Sequence, residues 1–198
     1  MSARLKLLAL LLACSLPALL VYFVFYVVQP QGKAGLGELI TPVRAMPGAQ
    51  ASRLDGTMLP LSALKAQWLL IRVDSAACPA DCQQQLTGMR QLRLMLGKDM
   101  GRVDWLWLVN DQAPIDARLV ADLVHDQATV LRLDADTLRD WLPAPAGTRQ
   151  QDHLYLVDPM GNAMLRWPAR LDSSAAARAK RDIEHLLRAS ASWDQPGR

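Results

Sequence analysis

Six largely apolar residues, Trp68-Leu69-Leu70-Ile71-Arg72-Val73, lead through Asp74-Ser75 and two alanines into Cys78-Pro79-Ala80-Asp81-Cys82. The run has the profile of a strand buried on both faces. Beyond the cysteines, Leu86, Met89, Leu92 and Leu96 recur at helical spacing and set one stripe on a helix that runs to Gly97. Cys82 heads that stripe. A buried strand that hands two cysteines to the first turn of an amphipathic helix confines the chain to an α/β fold, with that helix packed on the strand's own sheet.

Pro79 is tolerated at the first helical position, where its missing N–H costs nothing, so the spacing predicts Cys78 as the N-cap and Cys82 one turn on, roughly 6 Å away. That separation suits a disulfide, whose Cα atoms lie about 4.4–6.8 Å apart. It also lets two thiolates converge on a soft ion, and Cu(I) is the ion that two sulfurs and an added imidazole suit best. Zinc would want four protein ligands, and the one remaining cysteine is Cys14, far away in an apolar run. The helix N-terminus favours the thiolate of Cys78, which makes it the attacking or first-binding sulfur, while Asp81 opposes charge on Cys82. The bland alternative is a pair of buried cysteines, or a disulfide, that never reacts.

Leu7 to Val28 carries no charge; as a helix it is about 33 Å long, enough for the roughly 30 Å hydrocarbon core. Arg4 and Lys6 precede it and no charge follows before Lys33, so residues 1–6 are expected in the cytoplasm and the rest exported from a bacterial inner membrane. The run is longer than a signal-peptide core. It also continues well past Cys14, which reads as an apolar membrane residue rather than a lipidation site. Without Arg4 and Lys6, the 20 remaining basic residues nearly balance 19 acidic ones. Nothing in that balance points to nucleic acid. In an oxidising periplasm, two thiols one helical turn apart close to a disulfide unless a metal or a reductant intervenes, so a working pair implies a periplasmic thiol reductant as partner.

Residues 29–37 contain one Pro and three Gly and read as a flexible stalk. Glu38 to Pro60 reads as irregular or short β structure lying over the domain, with a hairpin turn at Asp55-Gly56. Further strands are predicted at Val103–Val109, Thr129–Leu133, Leu154–Val157 and Ala163–Trp167, the last two joined by the turn Asp158–Asn162. Helices are predicted at Ile115–Val124, at Thr137–Trp141 before Pro143 and Pro145, and, capped by Ser173 or Ser174, up to about Ala189. This order gives one domain over 38–190, a mixed sheet with helices on both faces, and a tail at 191–198. No Ser-His-Asp grouping or carboxylate pair has a context that argues for a hydrolase.

The membrane run, the strand, Cys78-Pro79-x-x-Cys82, the helix, and the later Asp152-His153 before Tyr155-Leu156-Val157-Asp158-Pro159-Met160-Gly161 together resemble the Sco (SenC) family. These are thioredoxin-like proteins that assist assembly of the binuclear copper centre of cytochrome c oxidase, and the similarity spans residues 38–190. The resemblance implies a thioredoxin-like fold with copper, Cu(I) or Cu(II), held by Cys78, Cys82 and His153. It implies as partner the oxidase subunit that carries the copper site. Gln83 stands where the family usually has a second proline. His153 precedes Tyr155 by only two residues, closer than in typical members; on a regular strand a shift of three places turns the side chain to the opposite face, and a bulge would be needed to restore it. Three functions follow: a copper metallochaperone, a thiol-disulfide oxidoreductase in which Cys78 attacks and Cys82 resolves, and a non-catalytic assembly factor with a static disulfide. His125 and His185 are expected to face solvent, and Met160 and Met164 to serve a turn and a strand core.

Overall fold

The computed structural model describes residues 3–23 and 35–192. They form two separate units divided between Ala34 and Gly35. The first contains helix α1 (Ala3–Phe23), with Pro17 inside it. Among the described residues no helix is long and apolar enough to cross a membrane. The predicted span at 7–28 and the stalk at 29–37 fall partly outside the described residues.

The second unit is built on one eight-stranded sheet of β1 (Glu38–Ala45), β2 (Gln50–Arg53), β3 (Met58–Pro60), β4 (Trp68–Asp74), β5 (Val103–Val109), β6 (Thr129–Arg132), β7 (His153–Val157) and β8 (Asn162–Pro168), in the order β1-β8-β7-β4-β5-β6-β2-β3. Its centre is β4 (Trp68–Asp74), every residue of which is buried. β4 pairs in parallel with β5 (Val103–Val109), which pairs in parallel with β6 (Thr129–Arg132). On its other side β4 meets β7 (His153–Val157) antiparallel, and β7 turns into β8 (Asn162–Pro168). Apolar runs without alternation therefore became the central strands, as burial on both faces requires.

Successive side chains of each strand enter two different cores. One holds Trp68 and Leu70 of β4, Trp105 and Trp107 of β5, and Leu154 and Leu156 of β7. Against it pack α2 (Ala80–Leu94) through Cys82, Leu86, Met89 and Leu92, and α5 (Ser173–Ala189) through Ala179, Ile183 and Leu187. Leu123 of α3 (Ala117–His125) joins the same core. The opposite face gathers Leu69, Ile71, Val73, Tyr155 and Val157 under Leu138 and Trp141 of α4 (Ala135–Trp141). The mixed sheet covered on both faces is thus as expected.

The segment Glu38–Pro60 differs from its reading as a cover over the domain. β1 (Glu38–Ala45) is one edge of the sheet, paired with β8, while β2 (Gln50–Arg53) and β3 (Met58–Pro60) form the other edge. Edge strands bury few side chains, and of the eight residues of β1 only Ile40 is buried, so a hydrophobic pattern could not reveal it. The Asp55-Gly56 turn does join β2 to β3; Thr57 donates to Asp55 Oδ1 through its backbone N–H at 2.9 Å and its hydroxyl at 2.7 Å.

Candidate functional site

The cysteine loop leaves the carboxyl end of β4 and is fastened from below. The Asp74 carboxylate accepts from Ser75 N–H at 2.8 Å, and the Asp111 carboxylate, just beyond β5, accepts from Ala76 N–H at 3.2 Å. Cys78 N–H donates to Ser75 C=O at 3.2 Å and the Gln83 side-chain amide donates to Cys78 C=O at 3.1 Å. Gln83 thus ties the first turn of α2 back to the loop. The helix begins at Ala80 with Pro79 as its N-cap, one residue later than predicted, because Pro79 has ψ 173° and is extended rather than helical.

Cys78 and Cys82 form a disulfide with their Cα atoms 5.1 Å apart. Their exposures are 1 % and 2 %. Cys82 and Pro79 border an open cleft of about 540 Å³. Across it stand Arg149, Gln151 and Asp152 before β7, Pro168 at the end of β8, and Ala169 and Arg170 beyond it. Its rim is ionic: Arg170 reaches Asp81 at 2.7 Å and Arg149 reaches Asp152 at 3.3 Å. The Arg149 backbone N–H donates to Asp152 at 2.9 Å, and this bond leads the causes that hold the Asp152 carboxyl below its usual range.

Arg72 and Asp74 also line the cleft, and neither was singled out from the sequence for a role at the site. They alternate with Leu70 along β4 and so project to the face on which the disulfide packs. Arg72 is 2 % exposed and pairs with Asp74 at 2.5 Å, while its other terminal nitrogen donates to Gln151 C=O at 3.1 Å. Burial pulls the guanidinium below its ordinary pKa, and Asp74 is the first of the charges that oppose this. One lone charge inside an apolar run was the available signal, since a buried arginine demands a partner.

The third expected copper ligand lies elsewhere. His153 opens β7 in the same parity as Tyr155, whose side chain belongs to the core opposite the disulfide, while Leu154 and Leu156 face the cysteine side. β7 and β8 pair without a register shift from His153 to Leu156, so no bulge turns the imidazole around. Its Nε2 is 3.0 Å from the Thr148 hydroxyl, and its ring meets Tyr155 edge-on at 6.2 Å. Burial, followed by the charge of Arg166, pushes the His153 pKa down. Cys78 and Cys82 are brought together and His153 is not brought to them. Among the described residues no group of three His, Cys, Asp or Glu side chains could hold a metal ion. His125 and His185 are exposed, as is Met160; Met164 packs against the core.

No curated protein matches the chain. Among solved structures, BsSco, a member of the Sco family of cytochrome c oxidase assembly proteins with a disulfide switch, superimposes with a TM-score of 0.58 at 16% identity, over 79% of this chain and 99% of that one. Apo Sco1 from Thermus thermophilus gives 0.58 at 16% identity over 79% and 100% of the two chains. A SCO1/SenC family lipoprotein from Bacillus anthracis str. Ames gives 0.56 at 15% identity over 73% and 95%. At these identities the likeness is one of fold, the fold that the cysteine motif and the β7–β8 hairpin implied. Residues 68–190, from the first residue of β4 to the residue after α5 and more than half of the chain, match the family described as transmembrane-like, thioredoxin-like, C-terminal domain, and the chain belongs to that family.

Proposed function

We propose that this protein is a membrane-anchored, exported assembly factor for the copper centre of cytochrome c oxidase, and that it acts by cycling Cys78 and Cys82 between disulfide and dithiol. The observation that carries this reading is the closed pair at the head of α2, with Cys82 bordering an open cleft. A thiolate of a partner dithiol attacks Cys78, forms a mixed disulfide, and expels Cys82 with the electron pair of the S–S bond. The partner's second thiol then resolves the mixed disulfide and leaves Cys78 reduced, so two electrons pass from partner to pair. The reduced pair repeats the exchange on a disulfide of the oxidase subunit. Both sulfurs are buried, so the attack requires the loop before Pro79 to move aside. The 22-residue uncharged run at 7–28, with Arg4 and Lys6 before it, supports anchoring with the domain in the periplasm.

The second reading is copper transfer, with the ion as cargo on the two thiolates once they are reduced; it is favoured by a spacing that lets both sulfurs converge. Its third ligand, His153, would have to come from the opposite face. The full-length protein in detergent separates the readings. Under the redox reading, Cys78 and Cys82 interconvert with a dithiothreitol buffer at a defined midpoint, and the reduced protein retains no Cu(I) under anaerobic conditions. One copper per chain, lost in Cys78→Ser/Cys82→Ser and weakened in His153→Ala, would establish the copper reading with all three ligands. Normal oxidase assembly by the double serine variant would leave only a docking role.

A further inference from the structure

The cleft beside the disulfide has a charged floor that the exchange chemistry above leaves unexplained. Arg72 is a cation in the centre of a fully buried strand, on the same sheet face as Cys78 and Cys82. Its partner Asp74 is fully engaged: one carboxylate oxygen accepts from Ser75 N–H and the other from Arg72. Arg72 is not. Its Nε–H is buried and meets no acceptor among the described residues, while each terminal nitrogen donates one bond, to Asp74 and to Gln151 C=O. A buried donor without an acceptor is costly, more so when charged, and it can take an acceptor that arises in another state of the site.

We propose that Arg72 is a positioning residue for the cysteine pair: its buried guanidinium stabilises the negative charge that Cys82 acquires when the S–S bond is cut. This rests on the redox reading of the site. When a partner thiolate attacks Cys78, Cys82 leaves with two electrons into a cleft whose floor is Arg72. Around it, Asp74 is committed to Arg72 and Ser75, and the remaining acids, Asp81 and Asp152, are paired with Arg170 and Arg149 at the rim. The charge with unused hydrogen-bonding capacity at the floor is therefore positive. It favours the reduced form and makes the pair a stronger oxidant than the same disulfide over an apolar strand.

The test is the midpoint of the Cys78–Cys82 couple, measured for the full-length protein in detergent against dithiothreitol at fixed pH and salt. Arg72→Met is expected to disfavour the reduced form about tenfold, a shift of about 30 mV to more negative potential for a two-electron couple. Arg72→Lys, which keeps the charge, is expected to stay within about threefold of wild type. Should Arg72→Met fail to fold because it strands Asp74, Asp74→Asn remains decisive. It removes the opposing charge and leaves one acceptor oxygen where Asp74 uses two, and is expected to shift the couple the other way, toward a stronger oxidant. A folded Arg72→Met with the wild-type midpoint, or an Asp74→Asn that shifts in the same direction as Arg72→Met, overturns the inference. A wild-type disulfide that no dithiol reduces would instead overturn the redox reading itself.

Discussion

At the scale of single residues, the site turns on parity. His153 and Tyr155 share one side of β7, and Leu154 shares the other with the disulfide core, so a shift of one position decides which face a candidate ligand occupies. The sequence shows the period but not a bulge, and here the pairing with β8 runs regularly past His153. Arg72 went unread for a related reason, since one charge in an apolar strand says nothing of which face it takes until the strand's neighbours are known. Gly161 poses a sharper local demand. It has φ +95°, its carbonyl accepts from Met46 N–H at 2.8 Å, and a Cβ there would lie 2.8 Å from the Met46 Cβ. Gly56 has φ +84° with open space around it. We expect Gly161→Ala to cost about 2–3 kcal/mol and Gly56→Ala about 1 kcal/mol in urea unfolding, the difference being the steric part. Equal losses would show that the Met46 contact yields freely.

At the scale of elements, the helices and central strands were legible because each has one dominant period or an unbroken apolar run. The boundaries β5 at Val103–Val109 and α5 ending at Ala189 follow directly from those patterns. The start of α2 was less legible, because the ring of Pro79 fixes φ but not ψ, and its ψ of 173° is extended. The start of α5 is capped by Asp172 rather than by the expected Ser173 or Ser174, and this cap titrates. Asp172 accepts from Ala175 N–H at 2.7 Å and from the Ser174 hydroxyl at 2.8 Å, and the backbone bond is the chief reason that its carboxyl lies below the usual range. A depressed folded value means that the cap's contribution is complete above the unfolded value, about pH 4, and is lost as pH falls through the folded one. Melting temperatures taken from about pH 6 to about pH 2 should therefore decline more gently for Asp172→Asn, which keeps a capping oxygen without a charge. Parallel curves would remove Asp172 from the acid response.

At the scale of the whole domain, the question is where the fold begins. The sequence suggested a flexible stalk through residue 37, on the strength of Gly32, Gly35 and Gly37. Yet one carboxylate oxygen of Asp182, midway along α5, accepts from Leu36 N–H at 3.0 Å, Gly37 N–H at 2.8 Å and the buried Trp167 indole N–H at 3.0 Å. Those two glycines serve close approach rather than flexibility: a Cβ on Gly35 would lie 2.4 Å from Asp182 Oδ1 and one on Gly37 2.7 Å from Trp167 Nε1. A single acidic side chain thus joins the first residues of the domain, β8 and α5, across a sequence separation of 146 residues. Periodicity cannot reveal such a bond, because Asp182 sits on a helix whose pattern reads the same with any polar residue there. Asp182→Ala strands a buried indole N–H and frees two amides, at a cost of about 2–4 kcal/mol. Asp182→Asn retains an acceptor and should lose less than half as much. Hydrogen exchange supplies the decisive reading: the amides of Leu36 and Gly37 should be protected in the wild type and exchange freely in Asp182→Ala. Slow exchange at both amides in that variant would mean that the domain holds its first residues without the clamp.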